Sequence, residues 1–166
     1  MSRTPERPTV VLNPWGTVAI ASEKDIPSLH RRNELVLCPL AAEAIRILND
    51  LNARVVFLVR PEEVAIVERL RLLLDQLAGA EIEMVHETSE SGLDGIVADR
   101  GAPLFVISGS AGDLAAGRSI GMRTILIRTG DEEAELRVLH DGGYRPDFIA
   151  DDLYTAANMI GEMIED

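Results

Sequence analysis

The order of apolar runs predicts an α/β fold, a three-layer α/β/α sandwich with a parallel, Rossmann-like sheet. Three observations point to it. Short β-branched runs alternate with longer stretches of helical periodicity, the pattern left by βαβ units. The strand runs are continuously apolar, as expected where helices cover both faces of a sheet. The chain has 166 residues, near the usual size of one domain, so one core is expected over 1–166.

Each element has a local reason. Thr9-Val10-Val11-Leu12 is a buried strand stopped by Asn13-Pro14. Leu40 to Leu51 places Leu40, Ala41, Ala44, Ile45, Leu48 and Leu51 at helical spacing. Arg54 to Val59 is a second strand, stopped by Pro61. Pro61-Glu62-Glu63 then suits a helix first turn, because proline has no N–H to orphan and acids complement the dipole. That helix is expected over 61–78. Glu81 to Val85 reads as a third strand and Leu93 to Arg100 as a helix ended by Gly101. Pro103 to Ser108 is a fourth strand, followed by a glycine-rich turn and a helix from Gly112 to Ile120. Arg123 to Ile127 is a fifth strand and Glu132 to Leu139 a helix. Asp147 to Ala150 is a brief edge strand, and Asp151 to Ile164 a closing helix.

Composition narrows the function. Hydrophobic residues are 46% and charged residues 27%, ordinary for a globular chain. A net charge of −12 disfavours nucleic acid and anionic membranes, whose phosphates attract positive surfaces. One cysteine, Cys38, excludes an internal disulfide and a cysteine-rich zinc site. No apolar run reaches the roughly 18 residues that span a bilayer, and Met1 to Pro8 has no signal-like apolar stretch. A cytoplasmic protein is expected.

In parallel sheets, ligands sit beyond the carboxyl ends of the strands. Those ends are Asn13 to Thr17, Val59 to Pro61, Glu87 to Ser89, Ser108 to Gly112 and Arg128 to Gly130. A flap-like segment is expected over 18–37, between the first strand and its loop at 8–17 and the remaining core at 38–166. It carries Lys24, Ser28, His30, Arg31 and Arg32. An exposed loop with a few basic residues would look the same.

Val11-Leu12-Asn13-Pro14-Trp15-Gly16-Thr17-Val18 resembles the first motif of the haloacid dehalogenase (HAD) superfamily, Asp-x-Asp-Gly-Thr after a short strand. Cys38-Pro39-Leu40, with the helix and strand that follow, is similar to the family's next unit. Phe105 to Gly117 resembles its fourth motif, and Gly121 to Gly130 and Pro146 to Leu153 its closing segments. The resemblance covers nearly the whole chain. It is nearest to small members, without a large cap, that hydrolyse heptose bisphosphate or histidinol phosphate.

What the resemblance implies is mostly loss. Such enzymes attack phosphorus with the first aspartate and protonate the leaving group with the second. They hold the phosphoryl group with a Ser/Thr and a Lys, and hold Mg²⁺ with fourth-motif acids. Here the nucleophile aligns with Asn13 and the acid/base with Trp15, while Gly16 and Thr17 remain. The second-motif hydroxyl falls at Val59 or Arg60, the lysine has no counterpart, and Arg100 is a different kind of cation. The first fourth-motif aspartate aligns with Gly109, and Asp113 survives. An aspartate there also suits a helix start, capping orphan N–H groups.

No catalytic or metal residues are therefore assigned. Asn13, Trp15, Thr17, Arg60, Ser108, Ser110 and Asp113 are the candidate lining of a remnant ligand pocket. His86 next to Glu87 reads as a surface pair more readily than as a dyad. The 61–78 helix carries Val64, Ile66, Val67, Leu70, Leu72, Leu73, Leu74 and Leu77, with Val64 and Leu72 outside the main apolar face. That excess suggests self-association or a protein partner, although scattered exposed leucines are ordinary. The expected function is a catalytically inactive HAD-like protein, or pseudoenzyme, that associates with protein or binds a small ligand without a cofactor. The alternatives are a Mg²⁺-dependent phosphatase with an atypical site and a structural subunit of a larger assembly.

Overall fold

Strand β1 (Thr9–Leu12) is buried along its whole length, and the other elements are laid out on either side of it. The computed structural model describes residues 7–19, 36–87 and 103–165. After β1 come α1 (Ala41–Asp50), β2 (Arg54–Val59), a 3₁₀ turn (Pro61–Glu63) and α2 (Val64–Ala78). Then follow β3 (Met84–Glu87), β4 (Leu104–Ser108), α3 (Ala111–Ser119), β5 (Arg123–Ile127), α4 (Glu132–Asp141), β6 (Phe148–Ala150) and α5 (Leu153–Glu165). The expected 93–100 helix lies outside the described residues, as does most of the flap-like segment.

The six strands form one sheet in the order β3-β2-β1-β4-β5-β6, and every pairing is parallel. The order runs one way from β1 through β2 and the other way through β4. A crevice opens at such a switch point beyond the strand ends. Leu12 is level with both Phe57 and Ile107, and the Asn13 N–H donates to the Ile107 carbonyl at 3.1 Å. The residues just past β1 and β4 therefore emerge side by side.

Period-two alternation sorts the strands' side chains into two layers. Val10, Leu12, Val55, Phe57, Phe105, Ile107 and Ile125 join the core that holds the buried faces of α1, α2 and α5. Val11, Val56, Leu58, Val106 and Leu126 face Leu114, Met122 and Leu139 in the other layer. Each buried aliphatic or aromatic side chain contributes about 1.5–3 kcal/mol. At the sheet's edge, Asp147 Oδ2 accepts from the Thr124 N–H at 2.8 Å, and the Asp147 N–H donates back to Thr124 Oγ1 at 2.9 Å. This pair fixes where β6 joins β5.

Several boundaries differ from the sequence expectation. The third strand starts at Met84 rather than Glu81, because side chains engage the main chain before it. Asn49 bonds both the N–H and the carbonyl of Glu81, and Arg71 bonds the Ile82 and Glu83 carbonyls. The 61–78 helix begins with a 3₁₀ turn. Val64, expected outside the apolar face, is half-buried against the core, whereas Leu72 and Leu77 are 56% and 77% exposed.

Helix α3 lies tight on the sheet at Gly117. A Cβ there would sit 2.4 Å from Val106 Cγ1 and 3.0 Å from Val106 Cβ. Gly117→Ala should lower unfolding free energy by about 1–2 kcal/mol, because overpacking a buried strand outweighs the helix-propensity gain of alanine. Urea unfolding followed by circular dichroism measures this, and an unchanged or higher midpoint would show that the layers give way easily.

Candidate functional site

Chemistry at the switch point is set by the first residues after β1 and β4. Pro14 supplies no N–H. The Gly16 N–H donates to the Ala19 carbonyl at 2.8 Å, and the N–H groups of Val18 and Ala19 donate to the Pro14 carbonyl. Thr17 is buried, and its hydroxyl donates to the Asn13 carbonyl. The loop thus folds on itself and spends these donors internally. Gly16 has φ +80°, a conformation that favours glycine.

Asn13 is the centre of the site. Its Oδ1 accepts from the Trp15 N–H at 3.0 Å, and its Nδ2 donates to Asp113 Oδ2 at 2.9 Å. Only one orientation of the amide satisfies both neighbours, because an N–H cannot accept and a carboxylate cannot donate. Asp113 Oδ2 takes a second bond, from Ser108 Oγ at 2.7 Å. Ser108 is fully buried at the end of β4, and its Oγ also accepts from the Ser110 N–H at 2.9 Å. One chain of hydrogen bonds therefore runs from the β1 loop through the carboxylate to the β4 loop.

The structure corrects the expected role of Asp113. Helix α3 starts at Ala111, one residue earlier than expected, so Asp113 lies in its first turn rather than at the cap. The cap residue Ser110 makes no side-chain cap bond. Instead the Ala111 N–H donates to Glu135 Oε2 of α4 at 3.1 Å, and the Asp113 carboxylate reaches across to Asn13 and Ser108.

Trp15 does not stand open to solvent. The indole is 9% exposed and belongs to the larger core cluster. Its Nε1 has no hydrogen-bond partner. The nearby Glu63 carboxylate is drawn toward its charged form by that N–H without closing a bond. Glu63 is 4% exposed, and its Oε1 accepts from the Arg60 N–H at 2.8 Å. Burial pushes its carboxyl above the usual range, opposed by the Arg60 N–H and charge and by Trp15.

Of the seven candidate residues, Asn13, Trp15, Thr17, Ser108, Ser110 and Asp113 share this network. Arg60 stands at the end of β2 and touches the network through Glu63. Two residues were missed by sequence reasoning. Glu63 looked like an ordinary first-turn acid. Thr129, beyond β5, fits against both Gly16 and Gly109, where an added Cβ would lie 2.8 and 2.7 Å from its Cγ2. Nothing local in the sequence signals that contact.

A resident Mg²⁺ does not fit these residues. A hard cation needs oxygen ligands, yet the group facing Asp113 is an amide N–H donor, and the Asn13 oxygen is turned toward Trp15. The Thr129 methyl crowds the place where a side chain at 109 would begin. Among the described residues no three His, Cys, Asp or Glu side chains gather as a metal site. No helix among them is long and apolar enough to cross a membrane.

A family model described as HAD-hydrolase-like matches residues 90–156. Two solved D,D-heptose 1,7-bisphosphate phosphatases are similar over the whole architecture. That from B. bronchiseptica, solved with magnesium and phosphate, has 20% identity and a TM-score of 0.71 over 93% of this chain and 98% of its own. That from Burkholderia thailandensis has 22% identity and a TM-score of 0.70 over the same shares. The fold is HAD-like. A hydrolase from Pseudomonas syringae shares the HAD-like fold more distantly, with 13% identity and a TM-score of 0.57 over 95% of this chain and 99% of its own. No curated protein sequence matches the chain.

The raised carboxyl of Glu63 has a consequence for stability. The folded state holds this proton more tightly than the unfolded chain, so stability falls as pH rises through the folded value. Glu63→Gln keeps an acceptor for the Arg60 N–H and removes the charge. Its stability relative to wild type should rise above the ordinary glutamate range, and the gap should close below it. Urea unfolding between about pH 4 and 8 checks this, with Trp15, the only tryptophan, as the fluorescent reporter.

Proposed function

We propose that this is a catalytically silent HAD-like protein that works by binding. The observation that carries the reading is the Asn13 amide. It occupies the position to which the resemblance gives a nucleophilic aspartate, and both of its polar atoms are engaged. Attack on phosphorus needs an anionic oxygen and protonation of the leaving group needs an acid. Asn13 and Trp15 offer neither, and groups of this kind act as a unit. The phosphatase from B. bronchiseptica is solved with magnesium and phosphate; the loop after β1 here spends its donors on its own carbonyls.

Binding through protein contact is the favoured form. Leu72 and Leu77 stand exposed on α2, where a second copy or another protein could cover them. A small ligand at the strand ends would meet the neutral hydroxyl of Ser110 and the Arg60 side chain.

A panel of phosphomonoesters, including sugar bisphosphates, incubated with MgCl₂ and purified protein tests the reading. No phosphate release above the protein-free rate is expected. Turnover that disappears in Asp113→Asn would overturn it in favour of a Mg²⁺-dependent phosphatase with an atypical site.

A further inference from the structure

Two loops that emerge side by side from a parallel sheet need something to hold their tips together. Where two carboxylates face each other, that task falls to a cation or a shared proton, because the like charges repel. Here one face of the pair is neutral. Asn13 Nδ2 donates to Asp113 Oδ2 at 2.9 Å, and Asn13 Oδ1 is held by the Trp15 N–H. Ser108 Oγ donates to the same carboxylate oxygen at 2.7 Å. The carboxylate is already served by two donors from two loops, one of them from a fully buried residue.

We infer that the Asn13 amide takes over the bridging task of a divalent cation, so that the β1 and β4 loops are clasped by hydrogen bonds alone and the chain's stability is independent of Mg²⁺. The clasp has a built-in polarity. Its donor is on β1's side, its charge on α3's side, and the Trp15 N–H is aimed at whatever acceptor position 13 presents. Asn13→Asp keeps that acceptor but replaces the donor facing Asp113 with a second carboxylate oxygen. The clasp then becomes a like-charge pair, which at neutral pH an entering cation relieves and at low pH a shared proton does. Asp113→Asn added to Asn13→Asp restores it in mirror image. The new carboxylate accepts from the Trp15 N–H and from one N–H of the new amide, whose second N–H faces Ser108 Oγ, since Asn13 and Ser108 meet the same oxygen of Asp113.

This inference concerns how the strand tips are held, and its readout is unfolding rather than turnover. Turnover that survives Asp113→Asn would leave it standing, and Mg²⁺ binding without turnover would overturn it while leaving the silent reading untouched. The experiment is thermal unfolding of wild type, Asn13→Asp and the double exchange, each in EDTA and in about 10 mM MgCl₂, a concentration that reveals millimolar binding. Wild type and the double exchange should each melt at the same temperature in both solutions. Asn13→Asp should melt lower in EDTA by about 4 °C or more and regain most of that loss in MgCl₂. If the single variant yields no folded protein, recovery by the double exchange of a folded chain whose melting is unchanged by MgCl₂ supports the clasp, and its absence overturns it. The inference is also overturned if MgCl₂ raises the wild-type melting temperature, or if Asn13→Asp melts like wild type in EDTA.

Discussion

A side-chain amide donates from one end and accepts at the other, and the tip of β1 depends on that asymmetry. The neighbours of Asn13 are a main-chain N–H, which can only donate, and a carboxylate, which can only accept. No aspartate could satisfy both without a proton or a cation, and no aliphatic residue could satisfy either. A hydrogen bond to a charged group is worth about 1.5–3 kcal/mol. The Asn13–Asp113–Ser108 chain is thus a substantial part of what keeps the two central strand ends aligned.

The surroundings have settled around that arrangement. Gly109 and Gly16 leave room for the Thr129 methyl, so a threonine beyond β5 packs where a side chain at 109 would otherwise project. Trp15 turns its indole into the core layer that β1 shares with α1 and α5. Glu63 lies against it, close to the indole N–H, which has no hydrogen-bond partner. Glu135 of α4 occupies the first free N–H of α3. Carboxylates that would be ligands or acids in an open crevice serve here as acceptors for the protein's own donors.

Much of the architecture was legible because it follows from local rules. Continuous apolar runs ending at Asn13-Pro14 and before Pro61 give buried strands, and their alternation with helices gives parallel pairing. The third strand was displaced because Asn49 and Arg71 compete for its main chain from 32 and 11 residues away, which no window of sequence reveals. At the site, Asn13, Trp15 and Gly109 were legible one position at a time as departures from the motifs that the chain resembles. The bond between Asn13 and Asp113 spans 100 residues, and the fit of Thr129 against two glycines depends on how three loops meet. The cap expected of Asp113 failed for the same reason. Ser108 and Asn13 outcompete the α3 N–H groups for its carboxylate, and Glu135 arrives from another helix to take one of them.

The most direct test of the neutral clasp is anomalous diffraction from crystals of the wild-type chain soaked in MnCl₂, since Mn²⁺ takes the same oxygen ligands as Mg²⁺ and scatters anomalously. The expected result is no anomalous peak between Asn13 and Asp113, with the amide nitrogen still on the carboxylate oxygen. A manganese ion bonded to Asp113, with the Asn13 oxygen rotated toward it, would contradict the claim.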